Sequence, residues 1–169
     1  KETTKFEYSV CLAAALCYLM VHQQDPVGLV TFDERIRASV PPRSKRTQFG
    51  AVLSLLANLK PTGKTDVAKC LIQTAAMLKH RSLVMIFSDL LCDVEPVVKS
   101  LQRLRHGGHD VILFHVLDEA EVEFPFHGIC EFEEPESHDK MLVDADAYRT
   151  DYLDEIAKRF ASRPRVYLP

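Results

Sequence analysis

Residues 5–24 are rich in Ala and Leu and contain no Gly or Pro, a pattern that predicts a helix. The second half of this stretch is apolar nearly all round, so the helix is expected to be buried. Asp25-Pro26 ends it. Residues 27–32 then read as a strand, Asp33-Glu34-Arg35 as a turn, and 36–40 as the returning arm of a hairpin that stops at Pro41-Pro42. Phe49, Val52, Leu53, Leu56 and Leu59 fall at helical spacing within 47–59. A second helical face follows in Val67, Leu71, Ala75 and Leu78, with Thr65 or Asp66 placed to cap it. Ser82-Leu-Val-Met-Ile-Phe-Ser88 is a continuous apolar run of the kind that forms a strand covered on both faces in a parallel sheet. Asp93 and Pro96 start another helix, with Val97, Val98, Leu101 and Leu104 inward, and Gly107-Gly108 stops it. A second apolar strand occupies 110–117.

Beyond residue 118 the pattern weakens. Residues 121–136 are acidic, with short apolar pieces at 122–126 and 129–132 that suggest small edge strands, and 141–143 suggests another. A last helix is predicted over 145–160, carrying Tyr148, Tyr152, Ile156 and Phe160. The alternation of strand and helix from 27 to 117 predicts an α/β fold: a doubly wound, mostly parallel sheet with an edge hairpin. No internal repeat or linker divides the 169 residues, so one domain is expected over 1–169.

Composition narrows the function classes. There are 21 Lys+Arg against 24 Asp+Glu, a formal charge of −3, which argues against a basic nucleic-acid surface. The five cysteines are scattered without CxxC spacing, which points to reduced thiols and a cytoplasmic setting rather than a zinc site or a disulfide framework. The longest apolar run, 10–21, is short of the roughly 20 residues a membrane-spanning helix needs, so no membrane segment is expected in this chain.

Ligands of doubly wound sheets bind beyond the carboxyl ends of the strands, and that rule selects a few residues. Asp89 follows the 82–88 strand, where a carboxylate serves either as a turn cap or as a ligand. Thr65 and Asp66 precede a helix and offer the same choice between capping and holding a hard cation. Gly63-Lys64-Thr65 is no phosphate-binding loop, because position 59 is Leu rather than Gly and no apolar strand precedes it. His106 and His109 flank the Gly-Gly turn and are expected in solvent, whereas His115 sits within an apolar strand as a structural histidine. Arg43, Lys45 and Arg46 form a short basic run, either a solvated loop or a contact for an acidic partner.

Several of these segments together resemble the DUF58 family of von Willebrand factor A-like proteins. They are Lys5-Phe-Glu-Tyr8 leading into Leu12-Ala-Ala-Ala-Leu16, Asp25-Pro-Val-Gly-Leu-Val-Thr-Phe32, Lys60-Pro-Thr-Gly-Lys-Thr-Asp66, Ser82–Asp89, His109–Asp118 and the acidic Glu131-Phe-Glu-Glu-Pro-Glu136. The resemblance implies a Rossmann-like three-layer sandwich with a metal-ion-dependent adhesion site. In the family pattern that site combines a DxSxS motif, a Thr in a GGTD-like loop and an Asp after the fourth strand. Thr65 and Asp89 match the last two parts. No DxSxS occurs here, and Lys64 replaces the second Gly of the loop. The resemblance therefore implies a partial Mg²⁺ or Mn²⁺ site, weak or absent in this chain by itself. It also implies a first strand between 27–32 and 82–88 that these residues do not supply.

The function expected from the resemblance is a non-enzymatic interaction module. Its partner would be a MoxR-type AAA+ ATPase or another protein that offers an acidic side chain to the metal. Two alternatives stand beside it. One is a metal-assisted phosphatase-like hydrolase using Asp89, with Lys64 neutralising phosphate. The other is a metal-free scaffold.

Overall fold

The computed structural model describes residues 3–61, 64–133 and 139–161, with side chains of the last helix described through residue 158. The chain forms two compact units, Lys1–Val116 and Leu117–Pro169. It is a mixed α/β protein in which the described strands pair two by two.

The first unit opens with α1 (Lys5–His22) and a hairpin of β1 (Val27–Phe32) and β2 (Ile36–Arg43). Then come α2 (Thr47–Ala57), α3 (Val67–Met77), β3 (Leu83–Ser88), α4 (Val94–His106) and β4 (Asp110–His115). β3 and β4 are parallel and in uninterrupted register from Leu83↔Asp110 to Ser88↔His115, joined by α4 as the crossover. Phe87 and Phe114 lie opposite each other in that register and stack with centroids 4.8 Å apart. β1 and β3 are not hydrogen-bonded to each other. Phe32, at the end of β1, nevertheless packs on the cluster that contains Ile86 of β3.

Two apolar clusters hold this unit together. One joins Val67, Leu71, Ile86, Leu90, Val97, Leu104 and Val111, so α3 and α4 bury the faces that helical spacing predicts. The other joins Cys17 and Val21 of α1 to Val52 and Leu56 of α2. The expectation that α1 is buried does not hold. It packs on α2, β1 and β3, while Tyr8, Tyr18 and Leu19 remain about half exposed (55%, 51% and 50%). An apolar surface spread around a helix carries no direction, so its neighbours decide which side is covered.

Three further expectations are corrected. β2 does not stop before Pro41-Pro42 but runs through both to Arg43. A bulge between Val27 and Leu29 takes up the register, and prolines are tolerated on a strand that has no neighbour on its far side among the described residues. His109 is buried rather than solvated, at 8% exposure, because its backbone N–H turns back to Leu104 O at 3.2 Å. Residues 122–126 form no strand. They span the end of the short helix α5 (Glu119–Glu123) and the turn after it, since Asp118 and Glu121 make a reciprocal capping box.

In the second unit α5 is followed by the antiparallel pair β5 (Ile129–Glu133) and β6 (Lys140–Asp144), then α6 (Ala145–Ala161). Phe124, in the left-handed region at φ 47°, is buried among Phe126, Phe132 and Tyr152. The Tyr152 hydroxyl donates to Glu121 O at 2.9 Å. The Gly128 N–H and the ring of His127 both meet the Asp146 carboxylate and hold it below the ordinary carboxylate value, against a smaller effect of burial. The acidic residues 134–136 and the side chain of Phe160 lie outside the described residues.

Candidate functional site

The parallel pair delivers Asp89 to the carboxyl end of β3, as the apolar run predicts. Its surroundings fix it from several sides. Register places His115 opposite Ser88, and His115 Nε2 lies 2.8 Å from Asp89 O. A carbonyl only accepts, so Nε2 carries the proton there. The backbone N–H of Leu91 donates to Asp89 Oδ1 at 3.3 Å. The ammonium of Lys5, in the first turn of α1, lies 3.2 Å from Oδ2.

Between these groups stands Leu90, whose φ of 53° puts a bulky residue in the left-handed region. Such a conformation costs on the order of 1–3 kcal/mol and persists only where the surroundings over-determine it. Here the Leu90 side chain, 4% exposed, is anchored in the core and its N–H donates to Ser88 Oγ at 3.1 Å. The turn that presents Asp89 is therefore held by the core beneath it.

The other candidates are placed as follows. Asp66 is the N-cap of α3, its Oδ1 accepting from Lys69 N at 2.9 Å. Thr65 is exposed in the loop before that helix and shares no hydrogen bond with Asp89; Gly63, the glycine of that loop, lies outside the described residues. We expect Asp66→Ala to cost about 1 kcal/mol, the usual value of a lost cap. Thr65→Ala should stay within about 0.5 kcal/mol, as exposed substitutions do. Urea denaturation of the two variants checks this, and an equal loss in both would remove Asp66 from the capping role.

The loop before α3 is tied to the end of the hairpin. Asp66 N donates to Asp33 O at 3.1 Å, and the Cys70 thiol reaches the same carbonyl at 3.3 Å. Burial raises the Cys70 thiol, with the Asp66 charge adding to it, which keeps it an inert core thiol. Asp33 is itself buried and ion-paired to Arg37. Burial works against its charge, but the Arg37 hydrogen bond, the N–H groups of Arg35 and Glu34 and the Arg37 charge outweigh it. Its carboxyl stays below the ordinary carboxylate value.

Arg43 ends β2, and Lys45 and Arg46 lead into α2; all three are exposed. α2 has no acidic residue in its first turn and no side-chain cap at Arg46. The run thus adds side-chain charge to the positive end of a helix dipole, an arrangement suited to an acidic surface. Among the described residues no group of three or more His, Cys, Asp or Glu is gathered in a metal-binding cluster.

The family profile described as "Protein of unknown function DUF58" matches residues 1–162. The chain belongs to the DUF58 family. No curated protein matches this DUF58 chain. Two solved structures share its fold. One is an aerotolerance-related membrane protein from Bacteroides fragilis NCTC 9343 bearing multiple mutations to serines, with 15% identity and a TM-score of 0.57. The alignment covers 88% of the DUF58 chain and 76% of that protein. The other is the conserved hypothetical protein BatB from Bacteroides thetaiotaomicron, with 11% identity, a TM-score of 0.53 and the same two coverages. No helix among the described residues is long and apolar enough to cross a membrane.

The sequence reading missed Lys5, Ser88 and Leu90 as parts of the site. Neither a contact spanning 84 positions nor a positive φ at a leucine leaves a local signature.

Proposed function

We propose that this DUF58 chain is a non-enzymatic protein–protein interaction module that docks its partner where β3 ends, in the frame of a doubly wound von Willebrand factor A-like sandwich. In this reading Asp89 and Thr65 hold Mg²⁺ or Mn²⁺, and an Asp or Glu of the partner takes an open coordination position. The partner class is a MoxR-type AAA+ ATPase or another protein with an exposed acidic side chain. Arg43, Lys45 and Arg46 give that acidic surface a second contact.

The observation that carries the reading is the Asp89 carboxylate. It lies at the carboxyl end of a parallel strand, oriented by Leu91 N–H and the core-anchored turn, with one oxygen already turned toward a positive charge. A carboxylate and a hydroxyl are hard oxygen donors, and Mg²⁺ is commonly held by one or two carboxylates with several waters retained. Two protein ligands would hold such an ion only weakly, and a partner carboxylate would complete the site. When bound, the metal would supply a positive centre for that carboxylate. The protein's part is to orient Asp89 and keep its turn rigid.

Calorimetric titration of the full-length protein with Mn²⁺ tests this. Weak binding is expected in the wild type, none in Asp89→Asn, and retention of an acidic partner should be lost on chelation. Equal binding by wild type and Asp89→Asn would remove Asp89 from the site. Partner retention insensitive to both chelator and mutation would establish the metal-free scaffold instead.

A further inference from the structure

Residues 67–82 make α3 and the turn into β3, and residues 96–109 make most of α4 and the turn into β4. Together they hold six Lys and Arg and no Asp or Glu, in a chain that carries 24 Asp+Glu. The two helices pack against each other through Val67, Leu71, Val97 and Leu104, so the stretches form one surface. Their final turns are joined too: Asp110 N donates to Ser82 O at 3.0 Å, and the Arg81 guanidinium lies 3.3 Å from Asp110 Oδ2. These turns lie at the amino ends of β3 and β4, the opposite end of the parallel pair from Asp89.

Helix capping does not account for the cations. The last turn of a helix favours positive charge, yet the final carbonyls of α4 already have donors. Gly107 N donates to Arg103 O at 3.0 Å, Gly108 N to Arg105 O at 2.9 Å and His109 N to Leu104 O at 3.2 Å. His106 Nδ1 meets Gln102 O at 2.7 Å. The side chains of Arg103 and Arg105 are therefore left in solvent without a capping duty. Neither they nor Lys79 forms an ion pair among the described residues. The nearby carboxylates are engaged already, Asp110 by Arg81 and Glu95 by Lys99.

Apolar side chains are exposed on the same surface. Met77 at the end of α3 is 44% exposed, Leu83 at the start of β3 47%, and Ile72 further back on α3 41%. An acidic peptide would answer only the charge. Single-stranded nucleic acid would look for aromatic rings to stack on, and neither stretch contains Phe, Tyr or Trp. A bilayer of anionic lipid answers both features, with phosphate and carboxylate groups for the cations and an acyl boundary for the aliphatic side chains.

We propose that the C-terminal ends of α3 and α4 form a peripheral docking surface for an anionic lipid bilayer. Arg103, Arg105 and Lys79 contact the headgroups, where a guanidinium matches phosphate with two parallel hydrogen bonds. Met77 and Leu83 enter the boundary between headgroups and acyl chains. The surface is independent of the reading of Asp89, and its place at the other end of β3 leaves the Asp89 turn accessible while the bilayer is bound.

The test is co-sedimentation of the full chain with sucrose-loaded vesicles of phosphatidylcholine, with and without phosphatidylserine. The wild type should sediment with the phosphatidylserine vesicles alone and be released by high salt. Each basic residue at such a surface contributes about fivefold in partition, so Arg103→Gln/Arg105→Gln should lose about 25-fold. Met77→Gln should lose about threefold. Lys158→Gln, an exposed position on α6, should partition like wild type. Circular dichroism confirms that each variant is folded. Equal sedimentation with both vesicles, or an unchanged partition in Arg103→Gln/Arg105→Gln, would overturn the surface. An equal loss in Lys158→Gln would overturn it as well, by reducing binding to diffuse attraction. A protein that ignores vesicles but is retained on immobilised poly-glutamate, and released by the same double substitution, would assign the surface to an acidic protein instead of a bilayer.

Discussion

Leu104→Ala is expected to lose about 3 kcal/mol of unfolding free energy, within the roughly 2–5 kcal/mol that such truncations cost in a well-packed core. Leu104 is fully buried at 0% exposure, in the cluster that joins α3 and α4 to β3 and β4. Part of the loss is the transfer free energy of the deleted carbons. The rest is the cavity left where α4 packs against the parallel pair. Leu90 belongs to the same cluster, and its buried side chain holds the left-handed turn beside Asp89. The variant should therefore loosen the site as well as the fold, with faster amide exchange at Leu90 and Leu91 than the global loss explains. Urea denaturation followed by circular dichroism gives the stability, and hydrogen exchange gives the local effect. A loss below about 1 kcal/mol would mean that the core closes around the gap and α4 is not a rigid support.

That core was legible in advance because its signals are local. Val67 and Leu71 recur at helical spacing, the run around Ile86 is continuously apolar, and Val97 and Leu104 line one face of α4. Each pattern names a buried side without knowledge of its partner. α1 shows the limit of such reasoning. Its apolar residues predict a helix correctly but give burial no direction, and Tyr18 and Leu19 are left half exposed. The polypeptide around Pro41-Pro42 shows another limit. Prolines argue against a strand, yet the bulge opposite them lets β2 continue to Arg43.

The site divides along the same line. Asp89 at a strand end and Asp66 at a helix start follow from motif position, because strand termini and caps are local geometry. Lys5 and His115 converge on Asp89 from other elements. Only the folded chain brings those groups together, and a single sequence carries no mark of it. Leu90 is a further case: glycine is the usual sign of a left-handed turn, and here packing imposes one on a leucine.

Gln48→Leu should cost about 1–3 kcal/mol, although it adds apolar surface to a buried position. Gln48 is 6% exposed, and its amide nitrogen donates to Val27 O at 2.7 Å and to Pro41 O at 2.8 Å. These carbonyls lie where the β1–β2 ladder is interrupted. The register skips between Val27 and Leu29, and the prolines of β2 have no N–H to offer. Gly28 fits this crossing because a Cβ there would sit 2.8 Å from Val40 O. Gln48 supplies the donors that the bulge lacks. Leucine keeps the bulk but leaves two carbonyls without them, and although Val27 is only half-buried and Pro41 exposed, a polar group that loses its partner costs up to about 1–3 kcal/mol. Gln48→Glu should be at least as damaging at neutral pH, since it turns two donors into a buried charge facing two carbonyls. The consequence reaches function through Arg43, Lys45 and Arg46, which lie between Pro41 and Gln48. Without the tether their backbone should exchange faster, and an acidic partner should bind more weakly while Mn²⁺ binding at Asp89 is unchanged. Urea denaturation, hydrogen exchange over residues 43–47 and the Mn²⁺ titration measure the three effects separately. A Gln48→Leu protein within about 0.5 kcal/mol of wild type would show that water already reaches both carbonyls, and that the basic run is held by something other than this side chain.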